Sequence, residues 1–256
     1  MERDKIYCMD SIEALRGHES GSVDMILTSP PYDDLRHYNG TIQWNFDKFI
    51  EISSELYRVL KDGGVMVWVV NDKTEKGSET GTSFRQALHF KEIGFNLNDT
   101  MIWLTTNPLP AVRQPRYSPC FEYMFVLSKG KPSTFNPIMR KTKCGGQNYD
   151  STAKNMGGEN GRRKLSYKVN SEAVEYNVWK IAVAQNKTGH PAVFPYELAE
   201  KHVLSWSNEG DTILDPFIGS GTTALACVRN GRHYIGIDIN DEYVRMTEEA
   251  LLEWKK

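Results

Sequence analysis

Ser29, Pro30, Pro31 and Tyr32 stand together in the run Leu27-Thr-Ser-Pro-Pro-Tyr32, an arrangement suited to holding an amine. The two prolines fix an extended backbone, so the Ser29 hydroxyl and the Pro30 carbonyl form a rigid pair of acceptors. Tyr32 adds a flat face for stacking. A second segment, Ile213-Leu-Asp-Pro-Phe-Ile-Gly-Ser-Gly-Thr-Thr223, joins an acid to a glycine turn. Glycines at 219 and 221 let backbone approach a ligand where a Cβ would collide, and a helix starting there offers N–H donors to a carboxylate. Asp238, 23 residues beyond Asp215, can accept both hydroxyls of a ribose. The run Gly-Ser-Gly-Thr-Thr-Ala does not complete the GxGxxG fingerprint, which favours an adenosine-bearing cofactor other than a nicotinamide dinucleotide. Taken alone, each segment also reads as an ordinary turn, the first a Pro-Pro loop with a packed tyrosine.

The elements that must position these segments alternate as in a parallel βαβ sheet. Short strands are expected at Lys5–Cys8 and Val23–Thr28, the latter stopped by Pro30-Pro31. Phe46 to Leu60 has the apolar spacing of a helix closed by Asp62-Gly63-Gly64, and Val65–Val70 is a continuous apolar run, a central strand covered on both faces. A helix over Phe84–Ile93 and strands at Thr100–Leu104 and Glu122–Ser128 follow. From Gly130 to about Val174 periodicity disappears, which marks a mobile insertion. Regular patterning resumes with helices at Tyr196–Trp206, Thr222–Asn230 and Asp241–Trp254 around strands at Thr212–Asp215 and Tyr234–Asp238. Both chemical segments therefore lie at carboxyl ends of strands, where open α/β sheets bind ligands.

Charged residues make up 25% of the 256, and no apolar run approaches the ~18 residues that cross a bilayer. The chain reads as folded, without membrane or targeting segments, and cytoplasmic. Cys8, Cys120, Cys144 and Cys227 form no CxxC pair, which argues against a zinc ribbon or a disulfide framework. Net charge is −2, but Lys129–Lys168 carries +8 and leaves −10 for the rest. Such a block can neutralise phosphates locally, and on charge alone a solvated loop is an equal reading.

Thr28-Ser-Pro-Pro-Tyr32 and Asp215-Pro-Phe-Ile-Gly-Ser-Gly-Thr-Thr223 resemble the two signature motifs of the S-adenosylmethionine-dependent DNA amino-methyltransferases. Their order, catalytic motif first, resembles the β group of that family. Asp10, Gly63-Gly64, Phe121-Glu-Tyr, Lys129 and Gly189-His-Pro-Ala-Val-Phe-Pro195 extend the similarity over nearly the whole chain except the basic insertion. The resemblance implies a Rossmann-like α/β fold, a seven-stranded mostly parallel sheet with an antiparallel edge hairpin. It implies a catalytic half over 1–128, an inserted basic target-recognition region over 129–175 and a cofactor-binding half over 176–256. The implied strand order runs from Thr212–Asp215 and Tyr234–Asp238 back to Lys5–Cys8, then to Val23–Thr28.

By the same resemblance, Ser29, Pro30, Pro31 and Tyr32 are catalytic. Asp215, Phe217, Gly219 and Gly221 line S-adenosylmethionine, with Thr28, Thr222 and Thr223 nearby, Asp238 on its ribose and Asp10 by its adenine. Lys187, His190 and Pro191 match a methionine-side motif, where a surface lysine or packed histidine is the alternative. The implied reaction is direct methyl transfer to the exocyclic amine of a base flipped from double-stranded DNA, with no metal. Ser at 29 resembles the N4-cytosine branch, and Asp in its place the N6-adenine branch. Arg113, Arg116, Lys141, Lys143, Arg162, Arg163 and Lys164 are the implied DNA contacts. Asp33, Arg36, His37 and Trp44 follow the catalytic motif in a loop that could close over the base. Homodimers, a cognate restriction endonuclease and a bacterial or phage source complete the expectation. Pro119-Cys120 carries the nucleophile in C5-cytosine enzymes, but their partner loop is absent and their motif order is opposite, so Cys120 is expected to be a buried thiol.

Overall fold

A computed structural model of the chain describes residues 1–31, 44–108, 116–154, 162–183 and 195–254. In chain order the first half contains β1 (Lys5–Cys8), α1 (Ser11–Arg16), β2 (Val23–Thr28), α2 (Phe46–Val59), β3 (Leu60–Val70), β4 (Thr74–Glu75), β5 (Ser78–Glu79) and α3 (Thr82–Glu92). Then come β6 (Asn96–Thr105), β7 (Phe121–Ser128), β8 (Met139–Lys141), β9 (Asn148–Lys154), β10 (Arg162–Lys168), β11 (Glu172–Val174) and β12 (Val178–Ile181). The chain closes with α4 (Tyr196–Trp206), β13 (Thr212–Asp215), α5 (Thr222–Arg229), β14 (His233–Asp238) and α6 (Asp241–Trp254).

The main sheet has the order β1-β14-β13-β2-β3-β7-β6-β12. All neighbours are parallel except at β7, which runs antiparallel to both β3 and β6. The mostly parallel α/β sheet is as expected, with eight strands rather than seven. The additional strand is β12, where Trp179 and Ile181 are buried and alternate with exposed Val178 and Lys180. Four residues of alternation beside an irregular stretch are too weak a signal to read in sequence. Because β12 pairs with β6, the β6–β7 hairpin is not at the sheet edge.

The strand order also corrects the expectation. β14 lies between β1 and β13, and β13 pairs directly with β2. From β2 the chain crosses through α2 to β3 on one side, and from β13 it crosses through α5 to β14 on the other. The sheet therefore reverses direction between β2 and β13, the topological switch point where such sheets open a crevice beyond the strand ends.

The core explains why these elements form. Asn45 caps α2 by accepting the Lys48 N–H at 2.9 Å, and the helix buries Phe49, Ile52, Leu56 and Val59 against a sheet face that includes Met66 and Trp68. β3 starts at Leu60, so Asp62-Gly63-Gly64 lies inside the strand rather than closing the helix; Gly63 takes φ 80° and its N–H donates to Lys129 O at 2.6 Å.

Pro137–Tyr176 forms a compact unit of its own. It contains two antiparallel pairs, β8 with β11 and β9 with β10, in a stretch without hydrophobic periodicity. Among the described residues no helix is long and apolar enough to cross a membrane.

Candidate active site at the switch point

The two chemical segments lie side by side because β2 and β13 are paired neighbours. Thr28, the last residue of β2, is fully buried and its hydroxyl donates to Asp215 Oδ1 at 2.7 Å. The Phe217 N–H donates to the same oxygen at 3.0 Å, and the Thr223 hydroxyl donates to Oδ2 at 2.6 Å. Asp215 is 1% exposed. Burial pushes its carboxyl up to about 6, against the hydrogen bonds from Thr223, Thr28 and Phe217, which pull the other way. An acid expected to face a ligand thus has its oxygens engaged inside the protein. It joins the end of β2, the loop after β13 and the first turn of α5.

The glycine turn is held from below. Gly219 (φ 52°) donates its N–H to Asp238 Oδ2 at 3.0 Å, and its carbonyl accepts the Thr247 hydroxyl at 2.8 Å. Gly221, at φ 83°, precedes α5, and a Cβ there would stand 2.5 Å from the Thr247 methyl. The need for glycine at 221 is therefore close packing against α6 together with a left-handed backbone. Thr247 was not singled out in the sequence, since nothing in a helix interior marks a residue that packs under a distant turn. Ser11 was missed in the same way; it is buried and donates to Pro216 O at 2.5 Å.

Asp238, at the end of β14, is half-buried, and burial raises its carboxyl above the usual range. Its Oδ1 accepts the Asn240 N–H at 2.9 Å and its Oδ2 that of Gly219. A carboxylate has about four acceptor positions, so each oxygen can take a further hydroxyl. Phe217 meets Trp44 edge-on, with ring centroids 5.2 Å apart, so the residue expected to close over the base stands against the second motif. Asp10 caps α1 by accepting the N–H groups of Ile12 and Glu13 at 2.9 and 3.1 Å. Asp10 with Glu13 three residues on is a readable helix-start signal.

Ser29 is half-buried, Pro30 and Pro31 are buried, Thr222 is half-buried and Thr223 is buried. Tyr32, Asp33, Arg36, His37, Arg113, Lys187, His190 and Pro191 lie outside the described residues. Arg116 is half-buried and donates to Glu79 at 2.8 Å and to Thr74, which ties it to the β4–β5 hairpin. Arg116, an expected DNA contact, is thus paired within the protein. Cys120 is half-buried rather than buried, and all four cysteines are free thiols. In the second unit Lys141 and Lys143 are exposed, and Arg162, Arg163 and Lys164 belong to β10.

The profile of a DNA methylase family matches residues 23–249. The chain belongs to this DNA methylase family. The methylase is 49% identical over 240 residues to the orphan methyltransferase M.BamHII of Bacillus amyloliquefaciens, covering 90% of this chain and 89% of that one. It is 32% identical to the type II methyltransferase M.HpaI of Haemophilus parainfluenzae (96% and 74% covered). It is 29% identical to the DNA adenine methyltransferase YhdJ of Escherichia coli K12 (93% and 79%). Among solved structures, the cytosine-N4-specific PvuII DNA methyltransferase shares the fold at TM-score 0.72 and 21% identity (97% and 86%). The M1.HpyAVI–SAM complex matches at 0.64 and 26% (96% and 98%).

Proposed function

We propose that this DNA methyltransferase uses S-adenosylmethionine to methylate N4 of cytosine in double-stranded DNA. The observation that carries the reading is the side-by-side position of the Ser29 loop and the Asp215 loop at the switch point, joined through Thr28 and Asp215. The residues present suit the cofactor. Asp238 has acceptor capacity for a ribose diol, Phe217 and Trp44 offer an aromatic surface for adenine, and the start of α5 offers N–H donors to the methionine carboxylate.

When bound, S-adenosylmethionine supplies a methyl group activated by its sulfonium. The chain's own task is to prepare the amine. An aromatic amino nitrogen is a poor nucleophile because its lone pair is conjugated with the ring. Hydrogen bonds accepted by the Ser29 hydroxyl and the Pro30 carbonyl favour pyramidal nitrogen and aim its lone pair across the cleft. Alignment of this kind supplies a large share of a two-substrate rate advantage. Tyr32 stacks on the flipped base.

Serine at the head of the motif supports cytosine; the likeness to an adenine methyltransferase keeps N6 of adenine as the second reading. The unit Pro137–Tyr176 serves target recognition. It exposes Lys141, Lys143 and Lys168 beside Tyr149 and Tyr167, which face each other across β9 and β10 with centroids 5.3 Å apart. Mass spectrometry of nucleosides from DNA of cells expressing the protein tests the assignment. N4-methylcytosine is the expected product, and N6-methyladenine alone overturns the choice of base.

A further inference from the structure

Thr28 is fully buried and directly precedes the amine-accepting pair Ser29 and Pro30. Its backbone is held on one side by β3, where it registers with Trp68. On the other side, the backbone pairing of β2 with β13 ends at Ile26 and Leu214. Beyond that point the hydrogen bond from the Thr28 hydroxyl to Asp215 continues the connection, linking residues 187 apart in sequence. The acceptor oxygen is itself fixed by the Phe217 N–H, and the second oxygen by Thr223 at the start of α5. A single carboxylate therefore references the catalytic loop to the loop proposed to hold the cofactor. Filling the space does not require a hydroxyl, since valine has the same shape.

We infer that the Thr28–Asp215 hydrogen bond is a latch that sets the position of Ser29 and Pro30 relative to the methyl donor, making Thr28 a positioning residue for methyl transfer rather than a cofactor ligand. This rests on the proposed roles of the two loops. The latch acts on alignment, and a displacement of about 1 Å at such a site can cost on the order of a hundredfold in rate. The bond is internal to the protein, so its loss falls on the chemical step and spares cofactor affinity.

The test compares Thr28→Val, which removes the hydroxyl at constant shape, with Thr28→Ser, which keeps it. Two quantities are read: the dissociation constant of S-adenosylmethionine by calorimetry, and the single-turnover transfer of labelled methyl to unmethylated genomic DNA. The expected result for Thr28→Val is a cofactor constant within about twofold of wild type and a transfer rate lower by roughly 10- to 100-fold. Thr28→Ser should recover most of that rate. An unchanged rate in Thr28→Val, equal impairment of both variants, or a loss of cofactor affinity parallel to the loss of rate would each overturn the latch. Should Thr28→Val not fold, Thr28→Ala, which only removes atoms, carries the same comparison. Absence of transfer by the wild type itself would instead strike the proposed function, and the latch with it.

Discussion

The switch-point cleft and the unit Pro137–Tyr176 solve opposite problems. In the cleft, polar side chains are buried and hydrogen-bonded, Asp215 to three donors and Thr28, Thr223, Ser11 and Thr247 each to a partner distant in sequence or across the turn. In the unit they stand on two thin ribbons, with Tyr149 and Tyr167 about half exposed and Arg140 laid over the Tyr176 ring at 3.9 Å. Chemistry that depends on fractions of an ångström is referenced to the deepest strands of the sheet. If the unit serves the target recognition proposed for it, reach and charge matter there more than deep packing.

The largest expected effect comes from removing the centre of the buried network. Asp215→Ala leaves two hydroxyls and one N–H without their acceptor, each worth about 1–3 kcal/mol when stranded, offset by release of a buried charge. Methyl transfer should fall by more than about a thousandfold, and the melting temperature by roughly 5–10 °C. Scanning calorimetry beside a transfer assay checks both, and a variant as stable and active as wild type would erase the contrast between cleft and unit.

The next effect is a pH dependence. Burial raises the Asp215 carboxyl from 3.8 to about 6, so the folded protein binds this proton more tightly than the unfolded chain does. The sign follows: this group's contribution to stability is greatest below about pH 4 and declines as pH rises through 6, by up to about 3 kcal/mol. Buried His202, held down to about 3, contributes in the opposite sense over the same range, so the decline is read as the difference between wild type and Asp215→Asn in denaturant titrations between pH 4 and 7. Equal slopes in the two proteins would mean that the buried carboxylate is no harder to charge than a surface one.

The smallest effect belongs to the ribbons. Replacing Arg162, Arg163 and Lys164 with glutamine should weaken DNA binding across all sequences and lower the log–log salt slope by up to about 0.9 per lost phosphate contact. Cofactor affinity and melting temperature should stay within error, since the substitutions lie in a unit separate from the cleft. An unaltered salt slope would move the DNA path away from β10.

What could be read in the sequence follows the same division. Apolar runs such as Val65–Val70 announce a buried strand, and Asp215-Pro-Phe-Ile-Gly-Ser-Gly announces a turn with a function, because both signals are local. Asp215 was legible as important while its partners were not, since Thr28 lies 187 residues away and only strand adjacency unites them. Gly221 had the right identity for another reason, as its neighbour Thr247 comes from a helix that the motif does not include. Strand order differs from the expectation because local pattern does not say which parallel neighbour a strand takes. The strand β12 escapes because its alternation spans only four residues, and the ribbons because two-stranded pairs carry no long local pattern.

The position of β13 also shapes how the protein comes into being. β2 can pair with β3 as soon as β3 is made, but its other edge must wait for a strand that leaves the ribosome about 187 residues after β2. At roughly 5–20 residues per second that is about 10–40 s during which an apolar strand edge stays open. The two sides of the cleft come from segments 187 residues apart, so a polypeptide that stops before β13 lacks one of them.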